Sequence, residues 1–168
     1  MGEGAGADGE VQVRWDEWAA VTDALTAAPA AGPGPSTAGA LPARATLEAP
    51  GPRPGGLVVV CFAQSWSPPS LHSAVELEKF RMGEEAAGLA QVFIVDADKE
   101  SGCAWELGIK ATPAIVFYRG GEHMRIRRPA AAEDIKLVGS FAGTTLVEAI
   151  RVAKKAVAQG EQTVSLDI

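Results

Sequence analysis

Cysteine, histidine and tyrosine are scarce in this chain of 168 residues: two, two and one. Cys61 and Cys103 stand far apart, so they make neither the close quartet of a structural metal site nor a disulfide ladder. No metal or other cofactor is expected, and so sparing a use of cysteine fits an intracellular, reducing compartment. Long apolar runs are missing as well. No stretch approaches the roughly eighteen apolar residues of a membrane span. Met1-Gly2-Glu3-Gly4-Ala5 has no basic or apolar signal region, and Ala5-Gly6 lacks the hydroxyl residue of a myristoylation signal. A soluble protein without a membrane partner is the expectation. Positive charge is also short, and a net charge of -6 argues against coating nucleic acid by bulk electrostatics while leaving a local basic patch open. The length suits one domain with an appendage, a domain being about 100–200 residues.

What is present divides unevenly. Residues 1–10 are Gly, Ala and acid with nothing to bury, the composition of a disordered tail. Val11-Gln12-Val13 alternates like a short strand. Trp15, Trp18, Val21 or Thr22, and Leu25 then recur at helical spacing behind Asp16 and Glu17, which suit a helix N-terminus. Seven of the eleven prolines fall within 27–56, interleaved with Gly and Ala, so this stretch is a loop insertion and not a hidden helix. So long a loop is either disordered padding or an arm that wraps a partner. Leu57 to Ala63 is a continuous apolar run, the mark of a central strand covered on both faces. A helix after Pro69 carries Leu71, Ala74, Val75 and Phe80 on one face.

Gln91 to Asp96 is a second buried strand, and Ser101 to Leu107 a short helix stopped by Gly108. Strand, helix and strand alternate with crossover-length connections, which predicts parallel pairing. Two alternating runs, Thr112 to Tyr118 and His123 to Arg127, flank Gly120-Gly121 and predict an antiparallel hairpin. Thr145-Leu146-Val147-Glu148 fits a capping box, followed by an apolar stripe of Leu146, Ala149, Ile150, Ala153 and Val157. Residues 159–168 form a tail with enough apolar side chains to dock.

The order of these elements, with Trp66 before the turn Ser67-Pro68-Pro69-Ser70 and Ala111-Thr112-Pro113 before the hairpin, resembles the thioredoxin fold across residues 11–158. The expected class is α/β, a mixed central sheet of four to five strands flanked by helices. The resemblance makes Pro113 a cis-proline beside the turn and matches Pro69, Phe62 and Trp66 to family positions. It also exposes a departure. Ser67 and Ser70 stand where the family has Cys-x-x-Cys, and Cys61 stands where it has a buried acid. A thiolate attacks a disulfide near neutral pH; a serine hydroxyl does not ionise there and forms no two-electron couple. The expectation is therefore no enzyme. Val95-Asp96-Ala97-Asp98, Phe117 to Ile126 and Lys136 to Phe141 are further similar to the Dim-type thioredoxin-like proteins, subunits or partners of the spliceosomal tri-snRNP. Both share an extended stretch before the final helix, here Arg127 to Ile135. The basic residues of that family's tail are missing, and the proline-rich loop is added.

Each remaining candidate for chemistry has a plainer role beside it. Ser67 or Ser70 as a nucleophile needs a base, and the only histidines are His72, which a helix points away from Ser70, and His123 in the hairpin. A helix-starting turn, with proline where no N–H is needed, accounts for the segment. Cys61 reads as a buried small hydrophobe. Cys103 opens a short helix, where partial exposure and the dipole would lower its pKa, making it the candidate reactive thiol. Asp96 and Asp98 are too few for a metal. Arg119, Arg125, Arg127 and Arg128 gather positive charge on one hairpin, a candidate partner surface. Its alternatives are RNA phosphate, an acidic protein, or a solvated edge that discourages strand pairing.

The function expected is that of a redox-inactive thioredoxin-fold scaffold within a multi-protein complex, with protein partners and no small-molecule substrate. The resemblance implies pre-mRNA splicing and the nucleus. The alternatives are a cytoskeletal or axonemal complex in cytoplasm or cilium, and a weak thiol oxidoreductase or redox sensor through Cys103. The strand Leu57–Ala63 spans about 20 Å. Loop 27–56 therefore enters at one pole and the serine turn leaves at the other.

Overall fold

The computed structural model describes residues 11–31 and 56–168. The expected tail 1–10 and most of loop 27–56 lie outside the described residues; residues 27–31, read as the start of that loop, instead end a helix. The apolar run 57–63 forms β1 (Leu57–Ala63), buried at every position. A chain buried on both faces cannot be an edge, and β1 has a neighbour on each side. β2 (Gln91–Asp96) pairs with it in parallel, Val60 opposite Phe93, and β3 (Ala114–Arg119) pairs antiparallel, Cys61 opposite Ile115. The far edge of β3 is divided. β4 (Glu122–His123) takes Tyr118 and Arg119, while β7 (Lys136–Val138) takes Ala114 to Val116. The product is a mixed five-stranded sheet.

Helices cover both faces: α1 (Trp18–Ala31) and α4 (Ser101–Glu106) on one, α2 (Pro68–Met82), α3 (Glu84–Leu89) and α5 (Gly143–Ala158) on the other. Alternation along β1 assigns its side chains. Leu57, Val59, Cys61 and Ala63 join Leu77, Phe80, Leu146 and Ile150; Val58, Val60 and Phe62 join Val21, Ala24 and Ala104. With a parallel β-α-β crossover, an antiparallel return and a final helix, the architecture is the α/β thioredoxin fold.

Several elements differ from the sequence reading. Val11-Gln12-Val13 is not a strand: the segment meets the sheet at one bridge, Asp16 to Val95. The reason is that Asp16 supplies both partners itself. Its N–H donates to the Ile94 carbonyl at 2.7 Å, and its carboxylate accepts the Ile94 N–H at 2.9 Å. Trp15 and Trp18 do not share a stripe. α1 begins at Trp18, whose ring lies 5.7 Å from that of Phe62, whereas Trp15 packs on the opposite core. α2 is rotated from the expected face: Ser70, Ser73, Ala74, Leu77, Glu78 and Phe80 are buried, and Leu71 is 37% exposed. Ala74 and Phe80 of the expected face are buried, but small serines let the helix approach the sheet, so hydropathy alone misses half of the buried face. α3 has no counterpart in the sequence reading; Gly83 separates it from α2.

The hairpin is shorter than expected. Gly120 and Gly121 take positive φ (62° and 87°), and a Cβ on Gly121 would lie 3.2 Å from the Leu25 carbonyl. After Met124 donates to the Phe117 carbonyl, the chain leaves for a second sheet. There β5 (Arg125–Arg128) pairs antiparallel with β6 (Ala131–Asp134) and parallel with β8 (Thr163–Ser165), part of the C-terminal tail. Ile126, Val164 and Leu166 are buried, which is the apolar gain that draws β5 away. α5 buries its expected stripe but starts at Gly143, with Ala142 as an N-cap that makes no side-chain bond. The reading of Thr145 as a cap is thus corrected. A Cβ at 143 would overlap the Glu76 carboxylate, so the helix start is fitted to Glu76 and not to a capping box.

Candidate functional site

The turn after β1 and the loop before β3 meet at one end of the sheet. Ser67 donates its N–H to the Gln64 carbonyl and is the N-cap of α2, with Pro68 and Pro69 as the first helical residues. Neither proline has an N–H to offer, and the Ser67 hydroxyl makes no capping bond. Ser70, one turn on, is fully buried and donates to the Thr112 hydroxyl at 2.7 Å. Thr112 in turn donates to the Gln64 side-chain carbonyl at 2.6 Å, and the Thr112–Pro113 peptide is cis. Gln64 continues the chain. Its amide donates to Asp98 at 2.9 Å, and the other Asp98 oxygen accepts the Trp66 indole N–H at 2.8 Å.

Ser70, Thr112, Gln64, Asp98 and Trp66 therefore form one hydrogen-bonded line that ties the turn to the proline loop. Trp66 stays 68% exposed at its end. Beside the line lies an open depression of about 230 Å³ between α4 and the proline loop, lined by Gln64, Ala104, Trp105, Ile109, Lys110 and Thr112 among others. Trp105 on its rim is 78% exposed. Large aromatic side chains left in water next to a concavity are surface fit for apolar contact.

No hydrogen bond among the described residues joins either serine to a histidine. His72 is exposed, and the His123 ring lies tilted beside Tyr118, ring centroids 5.0 Å apart. Burial lowers the His123 pKa, and burial pushes that of Tyr118 up to about 12. The two cysteines lie on opposite faces of the sheet, Cys61 in one core and Cys103 against the other. Burial pushes the Cys61 thiol up to about 12. Cys103 donates to the Glu100 carbonyl at 3.2 Å, and its pKa is raised, first by burial and then by the charge of Glu100. The expected lowering by a helix N-terminus is reversed, because burial and acidic neighbours outweigh the dipole of a helix only six residues long.

Asp96 and Asp98 are committed elsewhere. Asp96 accepts the N–H of Asp98, and Asp98 holds the indole and Gln64. No group of three or more metal-ligating side chains occurs among the described residues. The arginines separate. Arg125 and Arg127 share a face, each 64% exposed, but both reach Glu133 on β6, at 3.4 and 3.3 Å. Arg119 belongs to the main sheet and donates to Gln162 of the tail at 2.8 Å. Gln162, which the sequence did not single out, also donates to the carbonyls of Glu122 and His123, both at 3.2 Å, and clamps the tail over the hairpin. No helix among the described residues is long and apolar enough to cross a membrane.

Neither a family model nor a curated protein matches the chain. Among solved structures it is similar to the thioredoxin of Malassezia sympodialis, at 27% identity and a TM-score of 0.47 over 60% of this chain and 78% of that one. It is also similar to Fasciola hepatica thioredoxin (25%, TM-score 0.45, 58% and 80%). A third similar structure is a mutant thioredoxin from Halobacterium salinarum NRC-1 (21%, TM-score 0.44, 58% and 74%).

Proposed function

We propose that this chain is a redox-inactive thioredoxin-fold interaction subunit of a multi-protein complex, with the surface around Trp66 and Trp105 as its contact face. The observation that carries the reading is the fate of the two turn serines. Neither can cycle as a thiol pair, and Ser70 is fixed into a line that ends on the exposed Trp66 indole and, through Gln64 and Thr112, borders an open depression lined by Trp105. Within that class a Dim-type role in nuclear pre-mRNA splicing is the preferred assignment. The extended stretch that the resemblance shares, Arg127 to Ile135, builds β6 of the second sheet and leads into β7, so it is part of the fold and not a spacer.

Affinity capture of the full-length protein from its native cells tests the assignment. Splicing proteins in the eluate support it; tubulin- or dynein-associated proteins point instead to a cytoskeletal or ciliary complex. Trp105→Ala should weaken that capture at least tenfold if the contact face is right. Disulfide reduction by the purified protein that vanishes in Cys103→Ser would overturn the redox-inactive reading.

A further inference from the structure

The chain contains two hydroxyl residues followed by proline, Ser67-Pro68 and Thr112-Pro113, and the structure treats them oppositely. The Thr112 hydroxyl is spent twice, accepting from Ser70 and donating to Gln64. The Ser67 hydroxyl is bonded to nothing among the described residues: Pro69 removes one of the two N–H groups that an N-cap engages, and no bond is made to the other, that of Ser70. Its backbone is extended, φ -100° and ψ 115°. Ser67 itself is half-buried, and Ser65, Trp66, Pro68 and Pro69 around it are exposed. A serine hydroxyl with no partner among the described residues, on an extended residue between a turn and a helix start and with proline directly after it, carries the Ser-Pro acceptor that proline-directed protein kinases select.

We propose that Ser67 is a phosphorylation site for a proline-directed kinase, and that its phosphate closes the contact face to apolar partners. The step transfers the γ-phosphoryl group of ATP to the Ser67 oxygen. An O–P bond forms there, the bond from γ-phosphorus to the β-bridging oxygen breaks, ADP leaves, and the hydroxyl proton goes to solvent or the kinase base. The product adds a charge of about -1.5 to -2. It stands next to Trp66, whose indole is already held by the Asp98 carboxylate. Water would be drawn to a platform that works by being dry.

The effect on binding rests on the proposed contact face; the modification itself does not. The full-length protein is incubated with ATP and, separately, a cyclin-dependent and a mitogen-activated protein kinase, each shown active on its standard peptide. Peptide mapping by mass spectrometry is expected to find phosphate on Ser67, none on Thr112, and none at position 67 in Ser67→Ala. Absence of phosphate on Ser67 with both kinases overturns the site. Phosphorylated protein should then capture its partners at least fivefold less well than the unmodified form. Equal capture by both forms, in an assay that Trp105→Ala does disrupt, overturns the regulatory half. Capture insensitive to Trp105→Ala overturns the contact face and leaves the phosphorylation result standing.

Discussion

Ser70 and Ser73 lie one turn apart on the buried face of α2, yet their hydroxyls meet different fates. Ser70 donates to Thr112, while the Ser73 oxygen has no partner. A buried hydroxyl without a partner costs about 1–3 kcal/mol, and a satisfied one contributes about 1 kcal/mol. The same substitution should therefore act with opposite signs. Ser70→Ala is expected to lower stability by about 1 kcal/mol and Ser73→Ala to leave it unchanged or raise it by up to about 1 kcal/mol, read from urea midpoints. Cysteine makes a second contrast. Both thiol pKa values are raised, so little thiolate exists near neutral pH. Maleimide should modify the partly exposed Cys103 slowly, and faster as pH rises, and leave Cys61 untouched until the protein unfolds. None of these partnerships was legible in the sequence, because Thr112 and Ser70 become neighbours only when the sheet forms; the loss of the dithiol was legible, since it depends on residue type alone.

At the level of elements, the N-terminal segment is attached to β2 by charge more than by strand pairing. The Arg81 guanidinium reaches Asp16 at 2.6 Å, the Val92 carbonyl at 3.0 Å and the Arg14 carbonyl at 2.6 Å, and also pairs with Glu78. Arg14 returns an N–H to Glu78 at 2.9 Å. These side chains are nearly buried, so breaking the network leaves carboxylates uncompensated. Arg81→Ala should cost about 3–5 kcal/mol, while Arg81→Lys, which keeps the charge but not the fork, should recover only part of it. The sign with pH follows from Glu78. Burial alone would raise its pKa, but hydrogen bonds from Arg81 and the Arg14 N–H, with their charges, carry it below the ordinary value. A lowered carboxylate contributes stability above its unfolded pKa of about 4.3, and that contribution is lost as pH falls through the folded value. Acid unfolding of the wild type below about pH 4.3 should be steeper than that of a Glu78→Gln variant. Periodicity found β1, β2 and α5, whose apolar stripes are unbroken, and α1 only from Trp18 onward. It failed where polar residues do structural work: serines on the inner face of α2, Asp16 in place of a strand, and Gln162 as the clamp that places β8 on β5.

On the scale of the molecule, the parallel crossover and the later antiparallel return were readable because turn chemistry and connection length fix strand direction. The second sheet was not, since β5 and β8 are separated by a whole helix and pair through residues with no pattern of their own. That loop 27–56 enters β1 at the pole opposite the serine turn was readable from the strand length, but where it leaves α1 became visible only in three dimensions. α1 passes Leu25 against the β3–β4 turn, where a Cβ on Gly121 would sit 3.2 Å from the Leu25 carbonyl. β1 begins with Leu57 opposite Arg119, beside the same turn. Both attachment points thus face one end of the sheet, and Gln64, Trp66 and Ser67 lie at the other. A flexible linker of ten Gly and Ser residues has a mean span of about 17 Å, enough to join two points at one end of a sheet. Replacing residues 32–55 by such a linker should leave the thermal midpoint and the circular dichroism spectrum within error of the wild type, because shortening a loop changes closure entropy by only about 0.6 kcal/mol per halving. Loss of the folded spectrum would show that the segment belongs to the core. With folding preserved, capture through the Trp66 and Trp105 face should survive the replacement, since that face and the loop attachments stand at opposite ends of β1; any partner lost on replacement alone is one held by the loop.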